Sequence, residues 1–264
     1  APVQITMLGY PATTGNPAID ARFVDGRSDP EGTEAWCTEQ LLRLDPCAWC
    51  FSEPDHAPAV GPLPARERGC LSFGSFNNLA KTTPEVLDVW ARLLARVPGS
   101  RLVLKNGAFT DEPTRARITG ELVAQGIEAD RLEMLAPTDD TASHMAAYAQ
   151  VDIALDTFPY AGTTTTCEAL WMGTPVVTLA GRLHAGRVGV SLLSAVGMED
   201  CIASDTDRYI EIAAALAGDT EKLAARRASL RARMKVSPLM DRKAFCDQLH
   251  KAYDSLVDER RKTL

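Results

Sequence analysis

The spacing of hydrophobic positions changes about a quarter of the way along the chain. Through residue 68, Pro and Gly recur and no long amphipathic run forms; the stretch Glu53 to Pro64 reads as a proline-rich connector. From Cys70 onward two periods alternate. "CLSFGSFN" (70–77) alternates as a strand does. Thr83 then caps a helix, with Pro84 at its first position and apolar residues at helical spacing through "EVLDVWARLLARV". Further strands are predicted over "RLVLK" (101–105), "RLEMLA" (131–136), "VDIALDT" (151–157), "PVVTLA" (175–180) and "DCIAS" (200–204). Helices over 114–126, 141–150, 165–173 and 186–197 separate them, and three more cover 207–217, 221–235 and 242–258.

Strands alternating with helices predict βαβ units and a parallel sheet, an α/β fold. The continuous apolar strands 151–155 and 175–179 imply a sheet covered on both faces. The organisation read from this is a first segment, 1–64, and a regular Rossmann-like unit, 65–264. The basic run "AARRASLRARMK" reads as a solvated helix face, the usual meaning of charge at helical spacing. No internal repeat or low-complexity tract is visible.

Composition narrows the partners. The chain has 264 residues, enough for a proper core, and a formal net charge of -7, which argues against a nucleic-acid partner. No run suits a bilayer and no leader is visible, so no membrane partner is expected. The chain opens at Ala1 inside a strand-like segment, "APVQITMLGY", and is expected to be a piece of a longer protein. Seven cysteines, an odd number in a chain too long to need staples, suit free thiols in a reducing compartment, hence the cytoplasm. Cys47 and Cys50 form a CxxC, but no second pair stands at zinc spacing and a loop follows, so no metal or redox site is expected.

The chemistry concentrates in "PYAGTTTTCEALWMGTPVV" (159–177). In an open parallel sheet, ligands bind beyond the carboxyl ends of the strands. A helix start there offers free N–H groups and partial positive charge, which suit phosphate. Thr163, Thr164 and Thr165 add hydroxyls, Gly162 allows close backbone approach, and Glu168 can accept from sugar hydroxyls. The sum is a site for a nucleoside diphosphate. The alternative is that one threonine merely caps the helix and Glu168 is a solvated first-turn charge. The run is neither GxGxxG nor a P-loop. On the loop after the first regular strand, Asn78 and Lys81 sit at the same edge, and lysine there can meet a diphosphate or be a surface residue. His144 can face a base, or be structural.

Three long segments, "FGSFNNLAKTTPEVLDVWARLLARVPGSRLVLK", "DIALDTFPYAGTTTTCEALWMGTPVVTLAG" and "APVQITMLGYPATTG", together resemble the O-linked N-acetylglucosamine transferase family, most closely its bacterial members. The resemblance covers nearly the whole chain and is weakest from Ala18 to Arg68. It implies a GT-B glycosyltransferase whose active site lies between two Rossmann-like lobes. The chain then holds the C-terminal lobe and the last part of the N-terminal one. It further implies UDP-N-acetylglucosamine as donor, inversion at the anomeric carbon, no metal or other cofactor, a Ser or Thr of a protein as acceptor, and tetratricopeptide repeats upstream. By the same resemblance Lys81 contacts the diphosphate and is catalytic, and Asn78 stands near the phosphates. Thr163, Thr164 and Thr165 form the phosphate-binding run. Glu168 holds the ribose, His144 stands near the uracil, and Leu8, Gly9 and Pro11 line the sugar side. Thr141 and Ala147 depart from the family's Lys and Arg near the base. Two alternatives keep the residues but change the chemistry: transfer of another UDP-hexose, or a UDP-binding fragment without turnover of its own.

Overall fold

The structure, a computed structural model, describes residues 3–263. The first segment builds a small parallel sheet, β1 (Ile5–Thr6), β2 (Ala21–Val24) and β3 (Gln40–Arg43), in the order β1-β2-β3. Strands of two to four residues in a Pro- and Gly-rich stretch are too short to show a period. That is why β2 and β3 escape a reading of pattern alone.

The connector ends in a short helix, α1 (Pro64–Arg68), and the regular unit follows: β4 (Ser72–Ser75), α2 (Pro84–Arg96), β5 (Arg101–Lys105), α3 (Glu112–Val123), β6 (Leu132–Leu135), α4 (Thr141–Ala146), β7 (Ile153–Leu155), α5 (Thr164–Trp171), β8 (Val176–Leu179), α6 (Val188–Ala195) and β9 (Ile202–Ala203). The tail is α7 (Thr206–Ala217), α8 (Thr220–Lys235) and α9 (Arg242–Thr263). Side-chain caps start α2, α3 and α4: Thr83 accepts from Val86 N, Asp111 from Thr114 N and Asp140 from Ser143 N, so that α3 begins two residues before its predicted start.

The second sheet is parallel throughout, in the order β6-β5-β4-β7-β8-β9. One apolar cluster joins the sheet to α2, α3 and α7, through Phe73, Trp90, Leu94, Ile118 and Tyr209. A second joins the other face to α4, α5, α6 and α8, through Met145, Trp171, Leu192 and Leu230. Strand order reverses between β4 and β7, and a crevice at such a switch point, beyond the carboxyl ends, is where ligands sit.

One feature of the tail differs from expectation. The basic run on α8 is not a solvated face at all its positions. Arg227 is 1% exposed and donates to Gly61 O, Val151 O and Tyr148 O, while Arg231 donates to Trp171 O and Pro58 O. These guanidiniums satisfy carbonyls that loops leave open inside the fold, which charge periodicity cannot reveal. Helix α9 returns to the first sheet, where Phe245, Leu249 and Ala252 pack on Phe23, Leu44 and Ala48, and Tyr253 meets Phe23 edge-on at 5.3 Å.

Candidate active site

The crevice opens into a cavity of about 540 Å³. Its lining comes from both sheets: Leu8, Gly9 and residues 49–51 on one side, Asn77, Asn78, Lys81 and Thr163 to Thr165 on the other. Cys167, Leu192 and Leu239 close its apolar end. Pro11 is half-buried and stands outside this lining.

Lys81 ends a single 3-10 turn after β4, started by Asn78, whose carboxamide oxygen accepts from Ala80 N at 3.0 Å. The Lys81 ammonium donates to Ala161 O at 2.9 Å and lies over the Tyr160 ring, 3.8 Å from its centre. Burial lowers the Lys81 pKa, and the Asp156 carboxylate opposes that shift. An anion in the cavity therefore meets a cation partly stripped of water, where each charge interaction is stronger than at an open surface.

Asp156 stands at the end of β7 and is 1% exposed. Its Oδ1 accepts from Gly162 N at 2.7 Å, Thr157 N at 2.9 Å and Asn77 Nδ2 at 3.3 Å; its Oδ2 accepts from Thr178 Oγ1 at 2.7 Å. Asn77 passes the arrangement on, accepting from Thr165 Oγ1 at 2.7 Å. This packing explains Gly162. A Cβ there would stand 2.5 Å from Asn77 Oδ1 and 2.6 Å from Thr165 Oγ1.

The threonine row thus divides by role. Thr165 donates inward to Asn77, and Thr166 is buried. Thr163 occupies the N-cap position of α5 without a side-chain cap bond. Among the described residues the hydroxyls of Thr163 and Thr164 have no protein partner, and both line the cavity beside the first N–H groups of α5.

Glu168 and His144 lie behind Thr165. The His144 Nε2–H donates to Glu168 Oε2 at 3.0 Å, and the buried Tyr148 hydroxyl donates to the same oxygen at 3.3 Å. Glu168 is therefore not a solvated first-turn charge. His144 Nδ1 faces the Lys105 ammonium at 2.8 Å. An ammonium has no lone pair, so Nδ1 accepts and the ring proton sits on Nε2. With both nitrogens engaged, the ring offers a ligand its face rather than a hydrogen bond. Phe76 stands beside it, 6.1 Å between ring centres.

The structure brings Leu8, Gly9, Asn78, Lys81, Thr163, Thr164 and Thr165 to one cavity, with Glu168 and His144 as a linked, partly exposed pair outside its lining. Sequence reasoning passed over Lys105, although an apolar strand ending in lysine at the ligand edge is a readable signal. Asp156, Asp20 and Asp25 are all engaged by donors of the fold: Asp20 accepts from Gln4 N, and Asp25 from Arg27 N, Ser28 N and Ala48 N.

The chain is 47% identical to the probable UDP-N-acetylglucosamine–peptide N-acetylglucosaminyltransferase SPINDLY of Petunia hybrida over 97% of its own length and 28% of that protein's. It thus spans little more than a quarter of the curated relatives it matches. Among solved structures, a point mutant of the Thermobaculum terrenum O-GlcNAc transferase superposes with TM-score 0.93 at 38% identity, over 100% of this chain and 50% of that one. The sucrose-phosphate synthase of Thermosynechococcus elongatus, at 16% identity and TM-score 0.62 over 91% of this chain and 59% of its own, shares the fold alone. That shared architecture is GT-B. The sequence profile of glycosyl transferase family 41 matches residues 64–249, and the chain belongs to that family.

Proposed function

We propose that this chain is the donor-binding part of an enzyme that transfers N-acetylglucosamine from UDP-N-acetylglucosamine to Ser or Thr hydroxyls of proteins, with inversion and without a metal. The observation that carries the proposal is the single cavity in which the Lys81 ammonium, the start of α5 and the free hydroxyls of Thr163 and Thr164 converge. In such a transfer the acceptor hydroxyl gives up its proton and its oxygen bonds to the anomeric carbon, as the bond to the diphosphate oxygen breaks and its electron pair leaves with UDP. Negative charge then grows on departing UDP. Fixed donors and a cation meet that charge with no reorganisation, the role a divalent metal has elsewhere. Glu168 presents Oε1, which has no protein partner among the described residues, to the ribose, while the His144 and Phe76 rings face the base. Leu8 and Gly9 bound the sugar side, and Asn78, whose amide nitrogen has no protein partner among the described residues, stands near the phosphates. The seven free cysteines fit a cytoplasmic protein.

Calorimetry of UDP against the chain, with and without a chelator, tests the reading; binding is expected to be equal in both. Loss of binding in chelator would sink the metal-free part, and tighter binding of GDP than UDP would sink the uridine assignment. Turnover of UDP-N-acetylglucosamine against UDP-glucose in the full-length protein separates the sugar from another hexose. Transfer measured on the chain alone separates catalysis from binding without turnover.

A further inference from the structure

Lys105 ends β5 at the ligand-binding edge and is 6% exposed. A lysine is rarely buried without a partner that holds its charge. Among the described residues no carboxylate touches the ammonium. Its contacts are His144 Nδ1 at 2.8 Å and Thr138 Oγ1 at 3.4 Å, with the Phe76 ring 5.9 Å away. The balancing charge lies one residue further on, at Glu168, reached through the imidazole. Burial lowers the Lys105 pKa while Glu168 opposes the shift, as a cation and an anion joined across a ring would behave. The chain of donors runs one way: ammonium to Nδ1, then Nε2–H to carboxylate, with the Tyr148 phenol donating to the same carboxylate oxygen.

We infer that Lys105 is a positioning residue for nucleoside recognition, holding His144 in the Nε2–H tautomer so that the ring face is the platform for the base and Glu168 is turned with Oε1 toward the ribose. The inference rests on the nucleoside diphosphate reading of the same site. Lys105 contacts no phosphate-binding group, so its effect falls on the nucleoside half. That half is bound alike in the ground state and the transition state. Its loss therefore raises the donor KM and leaves kcat largely intact.

Nitrogen-15 NMR of the imidazoles in the unmodified chain is the first test, and it needs no ligand. Nδ1 of His144 is expected to be bare and Nε2 protonated; a proton on Nδ1 overturns the inference whether or not UDP binds. A parent that shows the expected tautomer yet binds no UDP would instead refute the site's assignment. The second test is a double-mutant cycle read by UDP affinity. Lys105→Met is expected to weaken binding by about tenfold or more, the scale of losing a charge-assisted hydrogen bond. In a His144→Ala background the same change should cost less than about twofold, because its route through the ring is gone. Equal losses in the two backgrounds would overturn the inference, as would a fall in kcat with KM unchanged in the full-length enzyme. If Lys105→Met does not fold, the tautomer in the parent still decides the matter.

Discussion

Replacing Asp156 with Asn removes a buried negative charge and keeps the shape of the group. The amide oxygen can stand where Oδ1 stands, opposite Gly162 N, Thr157 N and Asn77 Nδ2. The amide NH2 then faces Thr178, whose hydroxyl rotates from donor to acceptor. What remains is electrostatic. Burial pushes the Asp156 carboxyl from an ordinary 3.8 up to about 6, against the pull of its four donors and Lys81. A rise of roughly two units makes the ionised form about 3 kcal/mol less favourable in the folded chain than in the unfolded one. The folded chain keeps this proton to higher pH than the unfolded chain does. Its stabilising effect is therefore complete below about pH 4 and lost as the pH rises through about 6. Asn does not titrate. The stability of Asp156→Asn minus that of the parent should thus rise by about 3 kcal/mol between about pH 4 and pH 7. Urea unfolding of both chains across that range reads it, and other titrations cancel in the difference. A difference that is flat with pH, or falls as pH rises, would refute the reasoning. It would mean that the donors around Asp156 outweigh its burial.

Lys81→Ala in the full-length protein should lower kcat by on the order of a hundredfold and raise the donor KM only modestly, since charge on the diphosphate grows toward the transition state. Donor-saturation kinetics with unchanged circular dichroism checks this, and an unchanged kcat removes Lys81 from the chemistry. Glu168→Ala should weaken UDP binding by about 1.5–3 kcal/mol, the cost of a lost hydrogen bond to a charged group. Calorimetry showing parent-like affinity would leave Glu168 as a partner of His144 and Tyr148 alone.

The βαβ unit was readable because its signals agree. Thr83 with Pro84 starts α2, the apolar run around Ile153 forms a strand, and the order of strands and helices forces a switch point. The first sheet was not readable, because β2 and β3 offer four residues each and gain their burial only from packing partners such as α9. Within the site, residue types were legible and their division of labour was not. Four adjacent threonines look alike in sequence. Only the folded chain turns Thr165 toward Asn77 and leaves Thr163 and Thr164 open. Arg227 reads as one more surface charge until Gly61 and Val151 are seen to turn their carbonyls onto it.

A phosphate site of the kind proposed gains little from donors that move when the charge arrives. The segment from Thr157 to Gly162 is fixed accordingly. Asp156 holds both its ends, accepting from Thr157 N and Gly162 N. In its middle, Ala161 donates its N–H to Ala185 O at 2.9 Å and receives the Lys81 ammonium on its own carbonyl. Close packing adds a steric stop, since a Cβ on Gly186 would lie 2.8 Å from Pro159 O. The segment that supplies Ala185 and Gly186 is in turn tied to the first sheet's loops. His184 Nδ1 pairs with buried Asp29 at 2.5 Å, and Arg187 Nε donates to Arg27 O at 2.9 Å. Groups on the first sheet's side of the cavity are thereby held in register with Lys81 through one continuous set of bonds. Residues 184–187 thus join the first sheet's loops to the segment whose carbonyl receives the ammonium.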